Sequence, residues 1–334
     1  MNISVAMTTY KSDPEFLRKQ LDSICDQTLL PDEVVIVDDF SQDETADIVQ
    51  EYIDNNGLKN WKLIREDINR GFIGAFKVAI MNTSGEYIFL CDHDDIWLKD
   101  KVEFMHRQMR ENIEMLVLST AFQLIDLNDE PDTKNITSFY LPDANLPDAD
   151  RPQRVSFKEI VKKNKFPGCS MVMRKEIKEP FIKYYTDDLP HDYLINLLAS
   201  LKNGLYFINC PTFLYRIHNN NLIGIKRPID SINNAVLDKR IIMCRNLLRG
   251  MGEIERFIYE NVDEPNIPLR RIQRWEKFTA ARINYISKGS ILLWLSTVIR
   301  FGDIMGDRIY LSFLLDGYII LRDHCQKLKK LLSG

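Results

Sequence analysis

Residues 87 to 97 read Tyr-Ile-Phe-Leu-Cys-Asp-His-Asp-Asp-Ile-Trp, an apolar run that ends in three carboxylates within four positions. Carboxylates this close repel one another unless a cation sits among them. Hard oxygen ligands suit magnesium or manganese, and the phosphates of a substrate complete such a shell. Asp is also a good helix-start residue, so an acidic turn capping the helix that begins near Leu98 is the plainer reading. Three acids at the C-terminal end of a strand favour the metal, because that end of a parallel sheet is where ligands bind.

Around this stretch, residues 1–125 alternate short β-rich runs with amphipathic helical ones, the pattern of a doubly wound parallel sheet. Strands are expected at Ile3–Thr8, Glu33–Val37, Trp61–Arg65, Tyr87–Leu90 and Met115–Leu118. Helices are expected at Pro14–Gln27, Asp43–Asn55, Phe72–Asn82 and Lys99–Glu111, the second opened by the capping-box-like Ser41-Gln42-Asp43-Glu44. From Asp126 to Arg154 the chain turns polar and rich in Pro and Asp, which predicts a long loop. Beyond it come a helix at Phe157–Lys163, a strand at Ser170–Met173, a helix at Asp192–Lys202 and strands at Leu205–Ile208 and Phe213–Arg216. After about Pro228 the pattern is helical to the end, a separate appendage.

The 334 residues predict about two domains with ample apolar content for a core. A net charge of -4 gives no reason to expect nucleic acid as a partner. Six scattered cysteines without a CxxC pair look like reduced thiols of a cytoplasmic protein. The N-terminus lacks the basic and apolar regions of a signal peptide, so the sequon Asn135-Ile136-Thr137 is read as accidental. No apolar run reaches the ~18 to 20 residues of a membrane span. Two shorter ones, Ile291–Ile299 and Ile309–Leu321, are interrupted by Ser296, Asp316 and Gly317 and suit a helix lying on a membrane. From Lys288 onward seven Lys and Arg stand against four Asp, a balance that favours an anionic lipid surface.

Four further stretches carry chemistry. Asp38-Asp39 closes the second strand, where a carboxylate can accept from a ribose hydroxyl or a base N–H, or simply cap the next helix. Asn69-Arg70-Gly71-Phe72-Ile73-Gly74 precedes a helix whose N-terminus can meet phosphate, with Arg70 either neutralising it or facing solvent. In Asp187-Asp188-Leu189-Pro190-His191-Asp192-Tyr193, a carboxylate at a helix start is held ionised by the dipole and can serve as a general base or as a plain cap. Tyr215-Arg216-Ile217-His218 leaves a strand for the polar Asn219-Asn220-Asn221, and its imidazole is either a ligand for metal or phosphate or part of a surface loop.

Taken in order, Met7–Tyr10, Val37–Thr45, Asn69–Ile73, Asp92–Trp97, His191–Tyr193 and Tyr215–His218 resemble family 2 glycosyltransferases of the GT-A fold, in particular the bacterial rhamnosyltransferase-like branch of cell-surface polysaccharide assembly. The resemblance covers residues 1–225 and implies an α/β, Rossmann-like nucleotide-diphospho-sugar transferase fold followed by a C-terminal α-helical region, 226–334. Within it, 1–125 would bind the nucleotide sugar and 126–225 the acceptor. It implies that Thr8, Tyr10 and Asp39 hold base and ribose, that Arg70 offsets the diphosphate, and that Asp92 and Asp94 form the family's DxD. By the same resemblance Asp92 would turn to ribose or metal, Asp94 would be the main metal ligand, Asp95 would face the donor sugar or support the shell, Trp97 would pack beneath it and His218 would join the metal, Mn2+ or Mg2+. Asp192 matches the catalytic base of an inverting displacement. His93 stands where Gln or Ser is commoner, and His191 where Glu is frequent. The donor implied is dTDP-rhamnose or a UDP-hexose and the acceptor a saccharide hydroxyl, lipid-linked and met at the inner membrane leaflet. For the helical tail, packing or a homodimer interface competes with membrane contact.

Other classes account for less. A receiver domain explains Asp38-Asp39 but needs a phospho-acceptor Asp where the third strand offers Ile64-Arg65-Glu66-Asp67. A nucleotidyltransferase would show a Gly-rich basic signature near the first strand, which Ala6–Tyr10 lacks. A carbohydrate-binding module, or a degenerate relative of the same fold, needs neither the acid cluster nor a base.

Overall fold

The computed structural model describes residues 2–132, 151–161, 164–218, 237–302, 313–322 and 324–325. The sequon at Asn135, most of the polar loop, the Asn219–Asn221 run and the start of the second interrupted apolar run lie outside them. Two compact units form, Met1–Ile225 and Lys226–Gly334.

In the first unit β1 (Ile3–Thr9) is seven buried residues in succession, as a strand covered on both faces must be. It pairs in parallel with β2 (Glu33–Asp38) and β4 (Tyr87–Cys91), and β2 pairs with β3 (Trp61–Arg65). Helices α1 (Pro14–Cys25), α2 (Thr45–Asn55) and α3 (Gly71–Asn82) return the chain. Asp13 starts α1 by accepting the N–H groups of Glu15 and Phe16, with Pro14 in the first turn. The expected box at Ser41–Glu44 is not made: Ser41 Oγ accepts from Lys11 N at 3.0 Å instead, after Phe40 turns the backbone at a φ of 61°. A capping box forms at Ser156 and Glu159, opening α5 (Phe157–Ile160).

The parallel pattern stops at β4. Between it and β6 (Val117–Ile125) lies β8 (Met171–Arg174), antiparallel to both. β9 (Leu205–Arg216) then pairs in parallel with β6, and β5 (Ile96–Trp97) and β7 (Gln153–Arg154) pair antiparallel with β9. The order is β3-β2-β1-β4-β8-β6-β9-β5, a mixed sheet rather than a purely parallel one. Arg174 secures the inserted strand: its buried guanidinium donates to Met115 O at 2.7 Å, Met109 O at 2.5 Å and Tyr87 Oη at 3.2 Å. The two strands expected over 205–216 are one, with the register shifting on either side of the Ala121–Pro211 pair, because proline withholds an N–H and the ladder bulges around it. Helices α4 (Lys101–Glu111), α6 (Lys178–Lys183) and α7 (His191–Leu201) complete the unit. Since Thr9 lies opposite Asp38 and Met7 opposite Cys91, the C-terminal ends of β1, β2 and β4 share one edge.

The second unit contains α8 (Leu237–Asn261), α9 (Asn266–Lys288), α10 (Ile291–Phe301) and a helical stretch over 313–322. Asp316 is fully buried there and gathers Arg240, the Arg282 Nε at 2.7 Å and the Tyr285 hydroxyl at 2.7 Å. Gly289 ends α9 in the left-handed region at φ 55°, and Ser290 Oγ accepts Leu293 N to open α10. Among the described residues no helix is long and apolar enough to cross a membrane.

Removing one partner from a buried ionic cluster strands the others. Asp316→Ala is therefore expected to destabilise the helical unit by about 3 to 5 kcal/mol, read as a lowered urea midpoint of its transition by circular dichroism.

Candidate active site

The acid cluster sits where β4 ends. Asp92 and Asp94 reach the surface in part, whereas Asp95 is 1% exposed. Behind the cluster lies Arg216, fully buried at the end of β9. Its backbone N–H donates to Asp95 Oδ1 at 3.1 Å, its Nε to Asp94 O at 2.9 Å and one terminal nitrogen to Asp126 O at 3.1 Å, while an ion pair joins it to Asp129. Asp129 also meets Lys19 at 2.6 Å, and the guanidinium lies 4.2 Å from the Phe16 ring centroid. Two residues on, the same face of the chain presents His218, whose Nε2 is 2.7 Å from Asp94 Oδ2.

The three acids are not electrostatically equivalent. Burial, and then the charge of Asp94, pushes Asp92 up to about 7. Burial also opposes ionisation of Asp94, but the imidazoles of His93 and His218 outweigh it and hold that carboxyl below its ordinary range. Asp95 is driven well above it by burial and its two neighbours. Asp95 Oδ2 is buried without a hydrogen-bond partner, and Asp92, Asp95 and the Cys169 thiol lie within 4.8 Å of one another. An orphaned carboxylate oxygen amid three acids and an imidazole is a donor set that fits a hard divalent cation. Beneath it Lys101, 0% exposed at the start of α4, donates to Cys169 O at 2.6 Å.

Asp192 opens α7 at 9% exposure. Burial raises its carboxyl to about 6, against the N–H groups of Tyr193 (2.7 Å to Oδ1) and Gly168 and the Asn164 side chain, which all donate to it. Asn164 is itself held by Asn196 at 2.9 Å. The charge of Asp192 contributes to raising Asp92, so the base candidate and the acid cluster feel one another electrostatically. Next to it the His191 ring stacks on Phe76 with centroids 3.9 Å apart, and burial lowers it to about 3, fixing it neutral. A Cβ on Gly168 would stand 2.6 Å from His191 Nε2, so this position requires glycine.

On the β1–β2 side, Asp38 is structural: it accepts from Thr9 Oγ1 at 3.1 Å and Ser41 N at 2.9 Å. Asp39 Oδ1 accepts Arg70 N at 2.7 Å, so the carboxylate caps the turn into α3. Thr8 is buried on β1, in register with Val37, and Tyr10 is exposed. Two expected side chains point elsewhere. Arg70 pairs with Glu66 and lines an open groove of about 480 Å³ with Lys77, Tyr185 and Asp187, to which the acid cluster contributes nothing. Trp97, 2% exposed, faces the core with its ring 4.6 Å from Lys101 Nζ, so it supports the cluster from inside instead of meeting a ligand.

The sequence model of the family described as Glycosyl transferase family 2 matches residues 4–179, from β1 into α6. The chain belongs to that family. Similar glycosyltransferases include dTDP-rhamnosyl transferase RfbG of Shigella flexneri, 28% identical over 257 residues, or 72% of this chain and 79% of the relative. UDP-Glc:alpha-D-GlcNAc-diphosphoundecaprenol beta-1,3-glucosyltransferase WfgD of Escherichia coli is 25% identical over 62% of this chain and 73% of its own. Mannosyltransferase PcManGT from Pyrobaculum calidifontis, solved in complex with GDP-Man and Mn2+, shares the GT-A fold at a TM-score of 0.53 and 16% identity, over 96% of this chain and 85% of that one. This glycosyltransferase thus has the α/β sheet and the C-terminal helical region expected of it.

Arg216, Lys101, Cys169 and Asn164 had no assigned role in the sequence. Only Arg216 left a signal, since it precedes His218 by two and so shares its strand face. Arg216→Met removes the charge that pairs with Asp129 and the donor to the Asp94 and Asp126 carbonyls, and is expected to cost about 3 to 5 kcal/mol. Against burial, the bonds from Lys19 and Arg216 hold the Asp129 carboxyl below its ordinary range, so this contribution is present above that range and the loss should shrink as the pH falls through it in denaturant titrations.

Proposed function

We propose that the protein is an inverting, metal-dependent glycosyltransferase that moves a sugar from a dTDP- or UDP-linked donor to a hydroxyl of a lipid-linked saccharide in bacterial cell-surface polysaccharide assembly. The observation that carries this reading is a buried carboxyl raised to about 6, Asp192, whose charge acts on Asp92 of the acid cluster. A base with that proton affinity is largely ionised at neutral pH yet still able to take a proton. The rhamnosyl and diphosphoundecaprenol-linked substrates in the relatives' names support the donor and acceptor classes.

Asp192 accepts the proton of the acceptor hydroxyl as that oxygen bonds to the anomeric carbon. The bond from that carbon to the β-phosphate oxygen breaks, its electron pair leaves with the nucleoside diphosphate, and the configuration inverts. Asp39, with Thr8 and Tyr10, orients base and ribose, and Asp95 with Arg216 behind it faces the donor sugar. A divalent cation, Mn2+ or Mg2+, held by Asp94, Asp92 and His218 would neutralise the departing diphosphate. Arg70 reaches that phosphate only by leaving Glu66. In the helical unit, Leu292, Leu295 and Ile299 form an exposed apolar stripe on α10, and Leu314, Tyr318 and Leu321 another over 313–322. We assign these to peripheral contact with the cytoplasmic membrane leaflet, where a lipid-linked acceptor is presented.

Calorimetry with UDP, dTDP, GDP and their sugars tests the donor assignment: binding of one nucleotide is expected with manganese and its loss with EDTA, and metal-independent binding would defeat the cation assignment. Asp192→Asn should lower kcat by about 10²- to 10⁴-fold with donor affinity kept. In the wild type, kcat/KM should fall with unit slope below about pH 6, where Asp192 becomes protonated and cannot accept. For the membrane contact, Leu295→Glu/Ile299→Glu should sediment where the wild type floats with anionic vesicles; equal flotation would leave packing or a dimer interface as the tail's role.

A further inference from the structure

Lys101 is a buried ammonium that the mechanism above does not use. Its head group makes one hydrogen bond, to Cys169 O at 2.6 Å, and otherwise faces the rings of Trp97 at 4.6 Å and Phe213 at 4.2 Å. Burial lowers its proton affinity to about 8, with the nearby thiols and carboxyls acting in the opposite direction, so it stays largely charged at neutral pH. As core filling this is a poor choice, since a Leu or Met of similar volume would avoid desolvating a charge.

The bond it makes has a particular address. Cys169 is the middle residue of the one-turn 3₁₀ segment Gly168–Ser170 leading into β8. On one side of that turn, the Gly168 N–H donates to Asp192. On the other, the Cys169 sulfur faces both Asp92 and Asp95. A single short turn therefore touches the proton acceptor and the acid cluster, and its carbonyl is gripped by an ammonium from α4.

We propose that Lys101 is a positioning residue of the transfer reaction, holding the 168–170 turn so that Asp192 and the Asp92–Asp95 cluster keep their mutual spacing. The ammonium touches neither substrate nor reacting atoms. It acts through the peptide carbonyl, with the two aromatic rings fixing the direction of its approach. This inference rests on the assignment of Asp192 as base.

The test compares Lys101→Met, which removes the donor, with Lys101→Gln, whose amide can still donate to Cys169 O. Asp192→Asn is assayed alongside on the full chain. A displaced base of this kind is expected to cost about 10²-fold in kcat. Lys101→Met should show that fall while the Kd for the nucleotide with manganese changes by no more than about threefold, and Lys101→Gln should recover about tenfold of the lost kcat. Wild-type kcat in Lys101→Met, parallel loss of nucleotide binding and kcat in both variants, or failure of both to fold would each overturn the proposal. An active Asp192→Asn would instead remove the base assignment, an outcome separate from an active Lys101→Met beside an inactive Asp192→Asn.

Discussion

A guanidinium with no exposure to water is the constraint around which the site is arranged. Arg216 lies at the end of β9, yet its bonds reach the end of β4, the turn after β6 and the Phe16 face of α1. Its bonds to the Asp94 and Asp126 carbonyls and its ion pair with Asp129 tie the turn that carries the acids to the end of β6. Within that frame the His93 and His218 imidazoles keep Asp94 ionised at the mouth, while Asp95 is buried behind it. Two backbone carbonyls and one carboxylate accept from the guanidinium in directions that a lysine's point charge does not reproduce.

The two raised carboxyls, Asp92 and Asp192, come from distant parts of the chain, are coupled through charge and owe their high proton affinity chiefly to burial. The surroundings of Asp192 are built to keep it in place: two asparagines in series, a glycine N–H and its own helix start. Beside it, the neutral imidazole of His191 lies against Phe76. A charged residue could not occupy that apolar slot at so little cost, so the substitution of His for the more frequent acid leaves Asp192 as the only carboxylate at this helix start.

Much of the donor side was legible because it is local. Each of β1 to β4 is a short apolar run bounded by turn residues, and each expected helix start fell within two residues of the observed one. The acids also follow strand ends directly, so their common edge could be inferred from parallel pairing alone. The rest depends on contacts distant in sequence. Nothing in Met171–Arg174 announces that it will slide between β4 and β6, and Pro211 reads as a strand break although the ladder bulges around it. For Trp97 the resemblance implied packing beneath the donor site, without saying which strand would hold it. The two-residue β5 that pairs with β9 turns it inward. For Arg70 the sequence left solvent and phosphate both open, and the ion pair with Glu66, four residues earlier, is a contact that neither reading named.

The insertion of β8 bears on how such a chain is made. When only the first 125 residues have left the ribosome, β4 has one open edge and β6 has no neighbour, and both wait for residues 171–174 and 205–216. The nascent sheet therefore carries exposed hydrogen-bonding edges and apolar faces until well over half the chain has emerged, the interval in which strand-edge association with other chains is most dangerous. In a sheet of this order, the edges of β4 and β6 find their partners only when residues 171–174 and 205–216 are available to pair.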